Sequence, residues 1–156
     1  MRKEISRAVR REFAKELLRC LPQFVADRTE NIPGVVEHYV WHVAPPLRFY
    51  VLLQIHRTRN SFTVELVWTL RDRFPILLPL RSDTSPVVPE GRLRLGMLWD
   101  PENDAWWEPK PGSWSNKEEL LARVRPAVHD AVAGLVQYGV PHMDAVAKRV
   151  SAGQGT

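Results

Sequence analysis

Histidine and cysteine are the side chains in this sequence best suited to acid–base, metal or nucleophilic chemistry, and there are five histidines and one cysteine. His38 and His42 lie four residues apart in an alternating segment that predicts a strand, so their Cα atoms are roughly 13 Å apart. No cysteine or acidic residue lies at ligand spacing beside them, and we predict no metal site. Cys20 lies beside the apolar face of a predicted helix and is interpreted as a core residue. Phosphate-loop, dinucleotide and hydrolase motifs are absent, so no cofactor is expected.

A mixed polar face of the predicted sheet is a candidate binding surface. One interpretation is a site for a ligand or a partner, and the other is the solvated face that antiparallel sheets often have. His38 and Glu65 would flank Leu52 there as an acid–base pair, which supports a third hypothesis, a small hydrolase-like enzyme. The face carries His38, His42, Arg48, Tyr50, Gln54, Thr63, Glu65, Arg92 and Arg94.

Tryptophan is concentrated in one loop. Four of the six tryptophans, Trp99, Trp106, Trp107 and Trp114, fall within sixteen residues among acids and prolines. Such a loop either completes the core or presents aromatic anchors to a partner. Trp106 and Trp107 point in different directions if the chain is extended. We therefore predict that one is buried and that the other lines a cleft beside Tyr50 and Arg94, with Asp104 in the same site.

A row of basic residues at spacing four follows the N-terminal segment. Residues four apart stack along a helix surface, so Lys3, Arg7, Arg11, Lys15 and Arg19 predict a continuous positive stripe. The stripe is either a phosphate-contacting ridge or a solvated face on which Glu12 and Glu16 pair with Lys15 and Arg19. A net charge of +4 permits a nucleic-acid partner without demanding one. Nucleic-acid binding is the alternative function.

Periodicity predicts the elements that position these residues. Apolar residues every four positions predict a helix over 3–21, and alternation predicts strands joined by short links, which makes them antiparallel neighbours. The predicted fold is α+β, a β-meander of four to five antiparallel strands with the N-terminal and C-terminal helices packed on one face. The strands are expected at 35–43, 47–55, 62–70 and 92–98.

The two hairpins predict a register. A turn at 44–46 would place His42 beside Arg48 and Val40 beside Tyr50. A polar loop over 56–61 would place Tyr50 beside Val67 and Leu52 beside Glu65.

The last third of the sequence predicts helices. Ser115 and Glu118 have the spacing of a capping box, with Ser115 as the N-cap. Pro126 should kink or end the helix that follows. Gly139 to Pro141 should stop it and begin a short helix, and residues 151–156 should be a disordered tail. The remaining 1–150 form one domain.

The ends and the longest apolar runs bear on location. Charges interrupt the N-terminus where a signal peptide would be apolar, and no apolar run approaches the ~20 residues of a membrane helix. A single cysteine suits a reducing compartment. We expect a soluble cytoplasmic protein.

One stretch resembles a known family. Arg94-Leu95-Gly96 through Trp106-Trp107, then the capped helix and Tyr138-Gly139-Val140-Pro141, are similar to an uncharacterised bacterial family of α+β domains of unknown function. The resemblance covers most of residues 47–145 and implies no assigned activity. Some comparable small bacterial domains act as immunity or accessory proteins that bind another protein. The first hypothesis is therefore a non-catalytic binding module that engages another protein or a small ligand through the polar sheet face and the Trp-rich loop.

Overall fold

Helices cover one face of a five-stranded antiparallel sheet in the computed structural model, which describes residues 2–102 and 105–154. The strands follow one another in chain order, β1-β2-β3-β4-β5, as the predicted meander requires. The elements are α1 Lys3–Cys20, β1 Val25–Ala26, β2 Glu37–Ala44, β3 Leu47–Ile55, β4 Phe62–Thr69, β5 Gly91–Arg94, a 3-10 turn Leu95–Leu98, α2 Lys117–Gly134, a π-turn Leu135–Gly139 and α3 Val140–Gln154. The predicted α+β class is confirmed.

The predicted register is confirmed in both hairpins. β2 and β3 pair His42 with Arg48 and Val40 with Tyr50. β3 and β4 pair Tyr50 with Val67 and Leu52 with Glu65. Because side chains alternate between the two faces of a strand, this register decides which residues share a face.

The main core lies between the sheet and the helices. The four-residue period of α1 buries Val9, Phe13 and Leu17 completely. They pack with the apolar stripe of α2 against one sheet face, where Leu53 and Leu66 lie. The helices therefore cover one face, as predicted.

The opposite sheet face is covered as well, which the sequence did not lead us to expect. Segments 27–36 and 71–90 fold over it and contribute Ile32 and Phe74 to a second apolar cluster with Tyr50, Leu52 and Val67. The prediction of an open polar face is therefore wrong for its centre. Tyr50 and Glu65 are 0% exposed and His38 is 7% exposed.

The C-terminal helices are more continuous than predicted. α2 runs through Pro126, and the π-turn at 135–139 leads directly into α3. Pro126 and Ala122, whose carbonyl loses its helical donor, are both exposed, so water can bond that carbonyl. The predicted end of the helix at Pro126 and the predicted disorder of 151–154 are wrong. At Gly139–Pro141 the π-turn replaces the predicted stop, and a helix begins at Val140, as predicted. Residues 155–156 of the predicted tail lie outside the described part.

The start of α2 is shifted by one residue from the prediction. Asn116, not Ser115, is the N-cap, and its side chain accepts a hydrogen bond of 3.0 Å from the Glu119 amide. The Glu119 carboxylate in turn accepts from the Ser115 amide at 2.6 Å. The reciprocal bonding of a capping box is present with different partners. β5 is also shorter than predicted, because Leu95–Leu98 forms a 3-10 turn.

Within the described ranges, no helix is both long enough and apolar enough to cross a lipid bilayer.

We predict that Leu53→Ala or Leu66→Ala lowers the free energy of unfolding by about 2–5 kcal/mol, because each side chain is buried and its loss leaves a cavity. Urea unfolding followed by circular dichroism measures the change. Leu77→Ala is the matched control, since Leu77 is 95% exposed and should leave stability unchanged. A small loss at both buried positions would contradict the packing described above.

Candidate functional site

Glu30 holds the centre of the polar sheet face closed. Its Oε2 accepts a hydrogen bond from the Tyr50 hydroxyl at 3.1 Å, and its Oε1 accepts from the Phe74 amide at 2.7 Å. Burial raises the pKa of Tyr50 to about 12, so the hydroxyl stays protonated and donates. Glu30 thus joins segments 27–36 and 71–90 over the sheet, and Tyr50 contributes to this cover instead of facing a ligand.

His38 belongs to the same cover. Its Nε2 lies 3.0 Å from Oδ2 of Asp27, whose Oδ1 accepts from the amide and hydroxyl of Thr29 at 3.0 and 2.6 Å. Burial acts to raise the pKa of Asp27, but the hydrogen bonds from Thr29 and His38 outweigh it and hold this pKa below its usual value. His42, by contrast, is exposed at the far end of β2.

Asp27, Glu30 and His38 are the described residues placed to hold a metal ion, since their ligand atoms lie within 4.8 Å of one another. The sequence prediction of no metal site missed this group, because Asp27 and Glu30 lie in a loop whose residues follow no periodic pattern that would place them beside His38. Each member already has a protein partner through Thr29, Tyr50, Phe74 or its neighbour in the group. The role that the geometry gives to the group is therefore to attach the loop to the sheet.

Glu65 is buried in an ion-pair cluster. Its Oε1 lies 2.6 Å from Nε of Arg92, and its Oε2 lies 3.9 Å from Nε of Arg94. A buried carboxylate must be paired in this way to offset its loss of hydration. Leu52 separates Glu65 from His38, and each is bonded to another partner, so the structure does not form the predicted acid–base pair.

The Trp-rich loop is anchored to β4 through Trp107. Phe62 and Trp107 exchange two backbone hydrogen bonds of 3.0 and 2.8 Å, and their rings stack with centroids 6.0 Å apart. The Trp107 indole N–H donates to Asp130 of α2 at 2.8 Å. Trp107 is 8% exposed, so it is the buried member of the tryptophan pair, as predicted.

Two further contacts set the path of the loop just before Trp106. The Thr63 hydroxyl donates to the Ala105 carbonyl at 2.7 Å. A Cβ on Gly96 would lie 2.3 Å from the Cβ of Ala105, so this approach requires glycine at position 96. The loop is therefore held to β4 and to the 3-10 turn by backbone as well as side-chain contacts.

Trp106 faces the opposite way from Trp107 and is partly exposed. The Arg94 guanidinium lies 5.1 Å from its ring centroid, a cation–π distance, and the His56 ring lies edge-on at 5.3 Å. The predicted position beside Arg94 is confirmed. The predicted neighbour Tyr50 is not there, because it lies under the covering loops, and Asp104 lies outside the described residues.

These side chains open onto a mostly polar cleft of about 760 Å³. We call this the Trp106 cleft. Its lining combines aromatic rings, cationic groups and acids, the residue types that give a surface both contact area and polar specificity. It is lined by His56, Arg59, Ser61, Arg94, Trp99, Ala105, Trp106, Trp107, Glu108 and Asp130.

His56 and Asp130 are cleft residues that the sequence reasoning missed. His56 follows β3 directly, and continuing the predicted β3–β4 register pairs Ile55 with Phe62, the residue that Trp107 bonds through its backbone. That register was the available signal. No sequence signal points to Asp130, whose contact with Trp107 spans 23 residues.

The basic stripe lies on the exposed side of α1. Lys3, Arg7, Arg11 and Lys15 are all exposed. Glu16 pairs with Arg19, as one interpretation predicted, but Glu12 does not pair with Lys15. Glu12 lies 3.5 Å from Arg125 of α2 instead. Of the other basic candidates, Arg48 is partly buried beside His42 in the β2–β3 ladder.

Comparison of the chain with protein-family models, with curated proteins and with solved structures found no match. The resemblance to an uncharacterised bacterial family stays an expectation, and functional argument depends on the site itself.

We predict that Glu30→Ala lowers the free energy of unfolding by about 2–4 kcal/mol, because it leaves the Tyr50 hydroxyl and the Phe74 amide without their acceptor. Glu30→Gln keeps one acceptor oxygen and should cost less. Chemical unfolding of both variants, with Glu4→Ala as an exposed acidic control, checks the order. Equal stability of Glu30→Ala and Glu4→Ala would contradict the assigned role.

We predict unequal effects for the two adjacent tryptophans. Trp107→Ala should cost about 3–5 kcal/mol, since it removes a buried indole that anchors the loop. Trp106→Ala should cost less, about 1 kcal/mol, because Trp106 is partly exposed and its ring contacts Arg94 and His56 in the cleft. Melting curves of the two variants give the comparison, and equal small losses would mean that the loop is not anchored as described.

Proposed function

We propose that this protein is a non-catalytic binding module that holds a segment of another protein in the Trp106 cleft. The observation that carries the proposal is that two adjacent tryptophans have different surroundings, one buried and one partly exposed. Trp107 is buried and fixed to Phe62 and Asp130, while Trp106 is partly exposed between Arg94 and His56. An aromatic ring presented to a cleft by an anchored backbone is suited to recognition.

Pre-organisation supports this proposal. A flexible loop loses conformational freedom when it binds a partner, and that loss reduces the affinity. Here residues 105–107 of the loop are already held by the bridge to Phe62, by the Thr63–Ala105 bond and by the close approach at Gly96. The cost of ordering these residues is therefore met on folding, before any partner binds.

The chemistry of the cleft favours a protein segment over a small molecule. Tryptophan and arginine are the residues most enriched at the energetic centres of protein interfaces, and Trp106 and Arg94 lie together here. Small-molecule sites are lined mainly by apolar groups, whereas this cleft is mostly polar. Arg59 and Arg94 on the lining, together with Glu108 and Asp130, suit a segment that carries both backbone amides and charged side chains.

An accessory or immunity role is one biological use of such a module. Proteins of that kind act by holding another protein, which needs a binding surface and no catalytic group. The proposal does not depend on that role.

A library of short random peptides displayed on phage tests the proposal directly. Panning against the purified protein should enrich related sequences, and the corresponding synthetic peptides should bind in fluorescence anisotropy. Trp106→Ala should weaken this binding about 30-fold or more, the loss of about 2 kcal/mol that marks an energetic centre. Its fold should be retained, which circular dichroism verifies.

Leu77→Ala is the matched control, because it removes a highly exposed apolar side chain outside the cleft lining. It should bind the selected peptides like the unaltered protein. Failure to enrich any peptide, or equal binding by the Trp106→Ala variant, would reject the proposal. If the protein bound small ligands but no peptide, its function would be the binding of small ligands and not of another protein.

A further inference from the structure

The acids that form ion pairs near α1 do so with cations other than Lys3, Arg7, Arg11 and Lys15. Glu12 turns to Arg125 of α2, and Glu16 pairs with Arg19 and His129. Glu37 on β2 pairs with Arg10. Among residues 2–102 and 105–154, no acid forms an ion pair with Lys3, Arg7, Arg11 or Lys15.

Two members of the stripe also line a groove between α1 and the edge of the sheet. Arg7 and Arg11 form one wall, and Arg28, which follows β1, lies on the same groove of about 390 Å³. Glu37 is the one acid on its lining, and Arg10 holds its Oε1 through two nitrogens at 3.1 and 2.9 Å. The groove therefore gathers four arginines around one acid, which is already paired with Arg10.

The spacing of the stripe matches an extended polyanion better than a single anion. Residues four apart on a helix are about 6 Å apart along its axis, so Lys3 to Lys15 span about 18 Å. Cations in such a row repel one another, and a row of phosphates removes that repulsion. Arginine also forms the paired hydrogen bonds that suit phosphate oxygens.

We propose that Lys3, Arg7, Arg11 and Lys15, together with Arg28, bind the phosphodiester backbone of nucleic acid without reading its sequence. The site is separate from the Trp106 cleft, because the two share no lining residue. A Trp106→Ala variant should therefore bind nucleic acid normally, and failure of either proposal leaves the other standing.

The groove indicates which form of nucleic acid binds better. Single strands gain affinity by stacking bases on exposed aromatic rings. The aromatic residue on this groove is Tyr39, which is 1% exposed and packed into the core. Without a stacking platform, duplex should bind more tightly than a single strand, since its charge density is higher.

Fluorescence anisotropy with a labelled random-sequence DNA duplex, measured from 50 to 200 mM KCl, tests the proposal. Four or five phosphate contacts predict a slope of about −4 for log K against log salt. The double variant Arg7→Gln/Arg11→Gln should reduce that slope by about 2 and weaken binding at 50 mM salt by more than about tenfold. Arg19→Gln is the control on the same helix, because Arg19 is already paired with Glu16.

Three outcomes would overturn the proposal. One is no binding of duplex or single strand at 50 mM salt. Another is binding that the double variant and a separate Arg28→Gln variant both leave unchanged. The third is binding of phosphatidylserine vesicles or of a phosphopeptide without binding of nucleic acid, which would assign the groove to a different partner. Melting curves of all variants confirm that the folded protein is being compared.

Discussion

β4 is buried along its whole length, and this constraint shapes the rest of the molecule. One side of β4 meets the helices with apolar side chains. The other side carries Thr63, Glu65 and Thr69, which cannot be buried without hydrogen-bonding partners. Each obtains one from a later part of the chain. These partners are the Ala105 carbonyl at 2.7 Å, Arg92 at 2.6 Å and Glu90 at 3.0 Å. The polar residues of β4 are therefore attachment points for the segment that runs from 90 to 107.

This attachment accounts for where the candidate site lies. Once Ala105 is bound to Thr63 and Trp107 to Phe62, the intervening Trp106 must project from the same side as Arg94. The two meet because strand alternation places them on one face at neighbouring positions along the sheet edge. The covering loops close the centre of that face, so the accessible functional groups collect at its margin. A surface that looked like a broad polar sheet thus becomes a cleft beside one loop.

The sequence was sufficient for β2, β3 and β4, but it did not predict β1 or the segments that cover the sheet. Alternation and short turns predicted every pairing tested between β2, β3 and β4, since these depend on neighbours along the chain. The helical periods of α1 and α2 likewise predicted which side chains enter the main core. Interruptions were over-interpreted: Pro126 lies on an exposed helical surface, where the free carbonyl has water available, and the cap moved from Ser115 to Asn116. In both cases the residue type alone did not decide the outcome, because the outcome depended on the surroundings of the residue in the fold.

The prediction of the candidate site was likewise correct for local geometry and wrong for what covers the sheet. The opposed directions of Trp106 and Trp107 follow from local extended geometry, and that part of the prediction was correct. The inclusion of Tyr50, His38 and Glu65 assumed that a polar side chain on a sheet face is available to a partner. Their actual partners are Glu30, 20 residues from Tyr50, Asp27, 11 residues from His38, and Arg92, 27 residues from Glu65. Glu30 also bonds the amide of Phe74, 44 residues away. Alternation shows which residues share a face of the sheet. Whether that face is open depends on a loop that has no periodicity of its own. The contacts of that loop with the sheet are not encoded in any local sequence pattern.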